Sequence, residues 1–369
     1  MTEGLQGSSD ILCSMTKDFN PSVSFADSSL YTREPWALPR QCIYFSINIL
    51  RRFIMLDTQG RSIEYLRISV TDRCNLRCRY CMPEEGIPKV AHQGICSLER
   101  LWEIARAAAA CGVWKIRLTG GEPLVRKGIV DFCRMLSSIE GIRELCMTTN
   151  ATLLPALARP LKEAGVTRLN VSLDTLNQEK FRQVTRCGQL RDVLDGLRAA
   201  EDAGFTHLKL NCVLCGGFND GEIPDFVELT RDRDWEVRFI ELMPMGPCAG
   251  WDRSCFLPAD TVLDRCPSLR PVTPEGVARR YQIPGYRGTV GLIEPMSHAF
   301  CQQCNRIRLT ADGKLKPCLH SSEELSLEGL HGDALEEAVR TAILHKPERH
   351  RMSAVHASDT PRTMNQIGG

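Results

Sequence analysis

Between residues 65 and 242 the chain alternates short apolar, β-branched runs with stretches of helical periodicity, and this alternation restricts the fold more than any other feature. The runs fall at 65–70, 114–118, 144–149, 168–173, 207–214 and 236–242, and the helical stretches at 98–111, 129–138, 153–164, 190–203 and 223–230. Gly112, Gly165 and Gly204 stand where three of those helices would end, at the position that favours a left-handed residue. Strands joined through helices run parallel. The predicted fold class is therefore α/β: a partial, open parallel β/α barrel of about six strands, with a C-terminal extension.

After residue 245 the alternation gives way to Pro- and Gly-rich text, a cysteine-bearing segment at 298–320, a helix at about 333–344 and a polar tail ending in Gly368 and Gly369. Residues 1–54 show no persistent amphipathic repeat. Three regions are expected: 1–54, an N-terminal extension that is disordered or not essential; 55–245, the barrel; and 246–369, the C-terminal region.

Composition narrows the function classes. With 46 Lys+Arg against 45 Asp+Glu the net charge is +1, so nothing global draws the chain to nucleic acid or an anionic membrane, and any anion site must be local. No apolar run reaches the length of a membrane span. Eighteen cysteines in a long chain of ordinary core composition indicate reduced thiols in a cytosol-like compartment, with a subset serving as metal ligands. Twelve of them, such as Cys111, Cys133 and Cys212, are scattered in apolar or helical text and read as small buried hydrophobes. The expected location is cytoplasmic, and mitochondrial only if residues 1–54 are a presequence. Arg51 and Arg52 before Met55 suit that alternative, whereas Glu3, Asp10, Asp18, Asp27 and Glu34 do not; Met55 is also a candidate start.

Directly after the first strand comes Cys74-Asn-Leu-Arg-Cys78-Arg-Tyr80-Cys81. Three thiolates at this spacing can hold three corners of a 4Fe-4S cubane and leave the fourth iron open. An open iron can chelate the amino and carboxylate groups of a methionine-like cofactor and pass an electron to its sulfonium. Zinc or three buried thiols are the alternatives, but structural zinc is closed by four ligands in paired spacings. The loop resembles the signature of the radical S-adenosylmethionine superfamily. Gly120-Gly121-Glu122-Pro123, after the second strand, resembles that superfamily's turn for the methionine end of the cofactor: glycines admit close backbone approach, and Glu122 can accept from an ammonium.

In a parallel barrel the reactive groups gather at the carboxyl ends of strands. That rule singles out Arg117, Thr148, Thr149, Asn150, Ser172, Asp174, Lys209, Asn211, Glu241 and Met243. Helix capping would also account for the Thr-Thr-Asn run, and a solvated edge for Lys209. The cations Arg67, Arg117 and Lys209, on strands whose faces should converge, predict an anion inside the barrel, and a polyphosphate fits.

A second cluster, Cys301-Gln-Gln-Cys304-Asn-Arg306-Ile307-Arg308 and on to Cys318, reads C-x2-C-x13-C with two arginines inside. Zinc closed by His298 or His320 is the competing reading. Three cysteine ligands on an iron–sulfur centre would again leave an iron open for a substrate atom, with arginines beside it. The two clusters together, the run CNRIRLTADGKLKPCL and the terminal Gly-Gly resemble the GTP 3′,8-cyclase family of molybdenum cofactor biosynthesis, from about Met55 to the end.

That resemblance implies two 4Fe-4S clusters, on Cys74, Cys78 and Cys81 and on Cys301, Cys304 and Cys318, the second borne by the C-terminal extension. It implies S-adenosyl-L-methionine at Tyr80, Gly121, Ser172 and Met243, and GTP at Arg67, Arg117, Thr148, Lys209, Arg306, Ile307 and Arg308. The implied chemistry is removal of hydrogen from ribose C3′ by a 5′-deoxyadenosyl radical, followed by bonding of C3′ to C8 of guanine, with no side chain as covalent nucleophile. A downstream cyclic pyranopterin monophosphate synthase, a reductase or flavodoxin-type electron donor and a homodimer are the implied partners, and the terminal glycines are expected to reach into the site. A peptide-modifying radical enzyme and a non-catalytic module with zinc at both sites are the other readings.

Overall fold

The structure, a computed structural model, describes residues 55–86, 94–353 and 356–368, so the expected N-terminal extension lies outside the described residues. All of them belong to the unit 49–369. In chain order the elements are β1 (Tyr65–Ser69), α1 (Leu98–Ala110), β2 (Lys115–Thr119), α2 (Ile129–Ser137), β3 (Glu144–Thr149), α3 (Leu154–Glu163), β4 (Arg168–Ser172), α4 (Gln178–Thr185), α5 (Leu190–Asp202), β5 (Lys209–Leu214), α6 (Ile223–Glu228) and β6 (Glu236–Glu241). They continue through α7 (Thr261–Arg265), β7 (Arg270–Glu275), β8 (Ala278–Gln282), β9 (Thr289–Ile293), β10 (Arg306–Leu309), β11 (Lys314–Lys316), β12 (Leu325–Ser326), α8 (Gly332–Leu344) and α9 (Met364–Ile367).

The strands form one sheet in the order β12-β11-β10-β1-β2-β3-β4-β5-β6-β9-β8-β7. The six strands expected from the alternation lie side by side and parallel, and β10 and β9 extend the parallel set at either side, making eight. Both additions come from beyond residue 245, where short strands are set among Gly and Pro and the β10 run Arg-Ile-Arg-Leu is too polar and brief to stand out. The region expected to be an extension thus completes the sheet. The pairs β7/β8, β8/β9, β10/β11 and β11/β12 are antiparallel.

Period-two alternation decides what each face of the sheet carries. Leu66, Ile68, Ile116, Leu118, Leu169, Val171, Leu210, Val237, Phe239, Val290, Leu292, Ile307 and Leu309 turn to the helices and belong to the apolar core. Each such side chain contributes about 1.5–3 kcal/mol of burial. Helix ends follow local chemistry: the Ser97 hydroxyl accepts from Arg100 N at 3.1 Å at the start of α1, and Asn177 Oδ1 accepts from Lys180 N at 3.1 Å at the start of α4. Helix α4, short and mostly polar, has too little apolar text for periodicity to reveal it. The other face carries the buried charges Arg117, Lys209 and Arg308 and the half-buried Arg67. Loops leave β1 at its carboxyl end and enter β10 at its amino end, so the two cysteine segments attach at opposite ends of one parallel two-strand ladder, Tyr65↔Arg306 to Ile68↔Leu309.

Candidate functional site

The first cysteine loop is held from three sides. From the turn after β2, Gly121 N donates to Thr71 O and Glu122 N to Arg73 O, both at 2.8 Å. From the end of α4, Thr185 O accepts from Arg77 N at 3.0 Å, Val184 O accepts from Arg79 N at 2.9 Å, and Arg186 Nη1 donates to Arg77 O at 2.8 Å. From α9, Asn365 Nδ2 donates to Asp72 O at 3.1 Å. A Cβ at Gly120 would stand 2.2 Å from Thr71 O, and one at Gly121 2.3 Å from Arg73 O. These glycines therefore let backbone meet backbone, and Gly121 is not part of the cavity wall.

Glu122 differs from the expectation of an ammonium acceptor. Its buried carboxylate accepts from Leu124 N at 3.0 Å, Thr149 Oγ1 at 2.8 Å and Asn150 N at 2.7 Å, tying the β2 turn to the end of β3. Burial lifts it to about 7 against those three donors.

Burial also raises the loop's thiols, Cys74 to about 11, Cys81 to about 12 and Cys78 well above the ordinary thiol range. Each would stay protonated unless a cation took the thiolate. A tetrahedral zinc places its sulfurs about 3.8 Å apart. Among the described residues, the trio of Cys, His, Asp or Glu donors found within 4.8 Å of one another is Asp260, Glu294 and His298, and neither cysteine trio is so close.

Of the two proposed zinc closers, His298 is engaged with Glu294 Oε1 at 3.1 Å, and His320 Nδ1 lies 3.0 Å from Ser358 Oγ. Burial, with His350 beside it, brings His320 down to about 3. Cys304 is held low despite its burial by Lys346 and Arg306.

A cavity of ≈ 570 Å³ has residues of all eight parallel strands in its wall, so the sheet curves around it. Tyr80, Ser172 and Met243 are in that wall, as are Cys301, Cys304 and Cys318. Nine Lys or Arg and three Asp or Glu line it, a local positive excess in a chain of net charge +1. Arg308, Arg67 and Arg117 are register partners on β10, β1 and β2, which brings three guanidinium-bearing residues into one row. Burial and then the neighbouring Arg308 push Arg67 well below the ordinary arginine value. Arg308 is brought to about 10 by burial and Arg306. Such crowding is relieved by an anion. Arg117 Nε donates to Tyr65 Oη and its Nη1 to Thr148 Oγ1 at 3.4 Å; the Arg306 guanidinium lies 5.8 Å from the Tyr65 ring and 5.5 Å from that of Phe300.

Two expected residues stand elsewhere than foreseen. Ile307 turns its side chain into the apolar core, because it alternates with Arg306 and Arg308 on β10. Lys209 opens β5 rather than ending it, and pairs with Glu236 at 3.0 Å and Glu275 at 3.1 Å. Among the strand-end residues, Asp174 accepts from Tyr80 Oη at 2.7 Å and Val213 N at 2.9 Å, and burial raises it to about 6. Glu241 instead accepts from Ala259 N at 3.1 Å and Met296 N at 2.8 Å, outside the cavity. Tyr65, Arg168, Arg238 and Lys346, which the sequence reading passed over, also line the cavity. Counting by twos back from Ser172 would have found Arg168. At the tail, Arg308 Nη1 donates to Gly368 O at 2.5 Å.

Residues 68–230 match the Radical SAM superfamily, and residues 235–352 match the family described as Molybdenum Cofactor Synthesis C. A GTP 3′,8-cyclase of Peptoclostridium acidaminophilum is 52% identical over 322 residues, 86% of this chain and 98% of its own. One from Alkaliphilus oremlandii is 48% identical over 320 residues, 85% of this chain and 100% of its own, and one from Geobacter sulfurreducens 50% over 325 residues, 85% and 99%. Among solved structures, Streptococcus suis SuiB bound to S-adenosylmethionine has a TM-score of 0.54 at 15% identity over 88% of this chain and 78% of its own, a likeness of fold.

Proposed function

The chain belongs to the GTP 3′,8-cyclase family, and on that footing we propose how its residues carry out the family's reaction. The activity is the radical S-adenosylmethionine-dependent conversion of GTP to (8S)-3′,8-cyclo-7,8-dihydroguanosine 5′-triphosphate, the first step of molybdenum cofactor biosynthesis. The enzyme is a lyase with two 4Fe-4S clusters on a partial parallel barrel, one cluster on Cys74, Cys78 and Cys81 and the other, in the C-terminal region, on Cys301, Cys304 and Cys318. When bound, the first cluster and S-adenosylmethionine supply one-electron, hydrogen-abstracting chemistry.

The row Arg308, Arg67 and Arg117 is the observation that carries the reading. Burial and the flanking Arg308 and Arg117 disfavour the charge of Arg67; a polyanion lying across the row offsets that, and the triphosphate of GTP has the charge and length to do so. Arg306, beside the second cysteine trio, and Thr148, which Arg117 holds, extend the nucleotide's contacts, and Ile307 contributes only through its backbone. Lys209 joins them on exchanging Glu275 for a phosphate oxygen. Tyr80, fixed by Asp174, together with Ser172 and Met243 holds S-adenosylmethionine, and Gly121 serves it by shaping the loop. With both ligands seated, the barrel keeps water and oxygen from the reacting carbons.

The reading extends to a cytoplasmic enzyme, a reductase or flavodoxin-type donor, a cyclic pyranopterin monophosphate synthase that receives the product, and a homodimer. Its test is product analysis under anaerobic conditions. Reconstituted protein given GTP, S-adenosylmethionine and a reductant should form 5′-deoxyadenosine and the cyclised nucleotide together. Cleavage of S-adenosylmethionine at the same rate without GTP would speak against it, and Cys78→Ser should yield neither product.

A further inference from the structure

Away from the two cysteine clusters, the described residues bring together a pair of thiols that the reaction does not use. Cys215 follows β5, and Cys255 ends the short turn Arg253–Cys255. The Cys215 thiol feels Cys255 electrostatically, and both cysteines are free and half-buried. The contact is set by the backbone: Gly216 N donates to Cys255 O at 3.1 Å, and a Cβ on Gly216 would lie 2.0 Å from Ser254 O. Asp252 Oδ1 fixes the turn by accepting from Ser254 N at 2.9 Å. Cys248 lies close enough to be felt electrostatically by both, but its thiol is committed to Met243 O at 3.1 Å and Met245 O at 3.2 Å. Pairing therefore falls to Cys215 and Cys255.

Both thiols stand in the wall of a second cavity, ≈ 350 Å³, which they share with Tyr80, Asp174, Phe218 and Trp251. We propose that Cys215 and Cys255 are a reversible dithiol–disulfide pair, a modification site that sets the shape of this wall. The oxidant is a low-molecular-weight disulfide. The Cys255 thiolate attacks one of its sulfurs and releases one thiol. The Cys215 sulfur then attacks the mixed disulfide at Cys255 and releases the second thiol. One S–S bond forms as one breaks, two electrons pass to the oxidant, and the two cysteine protons end on the released thiols. Cys255 sits on a turn whose Arg253 and Ser254 are exposed, which gives the oxidant its first access there, while burial and the neighbouring Cys255 raise the Cys215 thiol to about 12. An S–S bond of about 2.05 Å is shorter than any nonbonded contact between sulfurs, so closure draws the 253–255 turn onto β5 and narrows the cavity. In a reducing compartment such pairs are transient and respond to redox state. The consequence for binding rests on the assignment of Tyr80 to S-adenosylmethionine; the bond itself does not.

Anaerobic holoenzyme treated with oxidised glutathione, its clusters monitored by visible absorbance, tests both parts. Peptide mapping should recover a Cys215–Cys255 link that dithiothreitol reverses and that Cys215→Ser and Cys255→Ser each abolish. Linkage elsewhere, or glutathione adducts alone, would overturn the site. Equilibrium dialysis should show S-adenosylmethionine binding at least about fivefold weaker in the linked protein. Cys255→Ser should bind it equally with and without the oxidant. A link that leaves binding unchanged would overturn the effect on the cavity. Failure of the reduced, untreated enzyme to bind S-adenosylmethionine would instead strike the assignment of Tyr80.

Discussion

The guanidinium of Arg308 donates to the main-chain carbonyl of Gly368, a residue sixty positions further along the chain. Arg308 is one of the three arginines in the cavity row, and Gly368 is seated at a φ of +70° with room for no side chain: a Cβ there would lie 2.0 Å from Thr119 Oγ1. Gly368 thus serves a cationic side chain through its main chain.

Gly368→Ala should therefore displace the tail and free Arg308 to swing away from its position. Turnover should fall at least about tenfold, while thermal stability moves by about 1 kcal/mol, the ordinary size for a single substitution. Anaerobic product assays beside thermal melts check this; an active Gly368→Ala would show that the contact is incidental.

Gly121→Ala should cost the protein its first cluster. The added methyl would stand 2.3 Å from Arg73 O, and the turn after β2 would have to withdraw from the cysteine loop. Iron analysis of reconstituted protein is expected to drop from about eight to about four per chain, with the second cysteine trio still loaded.

Arg67→Met separates binding from stability. Removing the central guanidinium of the row relieves like-charge repulsion, so the melting temperature should hold or rise. Affinity for GTP should nevertheless fall about tenfold to a hundredfold, the range of a lost charge-assisted hydrogen bond. Calorimetric titration with GTP gives one number and a thermal melt the other. Loss of both together would mean that Arg67 is structural.

Asp174 gives stability a pH dependence of stated sign. Its carboxyl is raised by burial to about 6 in the folded state, above its unfolded value. The folded chain then keeps a proton that the unfolded chain releases, so this residue's contribution declines as pH rises from about 4 to about 6 and is level beyond. Asp174→Asn can still accept from Val213 N and donate to Tyr80 Oη. Its melts should lose that decline, a difference on the order of 3 kcal/mol across the window.

How far the text of the chain could be read depended on whether a residue's role is local. Cys74, Cys78 and Cys81 stand within eight positions, and their meaning lies in their spacing. The six strands with long apolar runs were legible for the same reason, since one face of each packs on helices. Strand β10 was not, because half of Arg-Ile-Arg-Leu faces the cavity and a four-residue strand leaves no periodicity to count. Ile307 was placed among the nucleotide contacts by its position in a motif, whereas alternation sends its side chain to the opposite face. Glu122 and Lys209 have partners distant in sequence that no local pattern reveals: Thr149 and Asn150 for the first, Glu236 and Glu275 for the second. A charged residue's availability depends on what the fold sets beside it.

The ladder between β1 and β10 has one more consequence. It pairs four residues, about 13 Å at the usual rise per residue, and one cysteine segment hangs from each end. Two hydrogen-bonded strands inside a wide sheet neither stretch nor fold, so they act as a ruler between the two cysteine segments. Whatever the two segments hold is thereby kept at a separation set by main-chain hydrogen bonds, which no side-chain rotation alters.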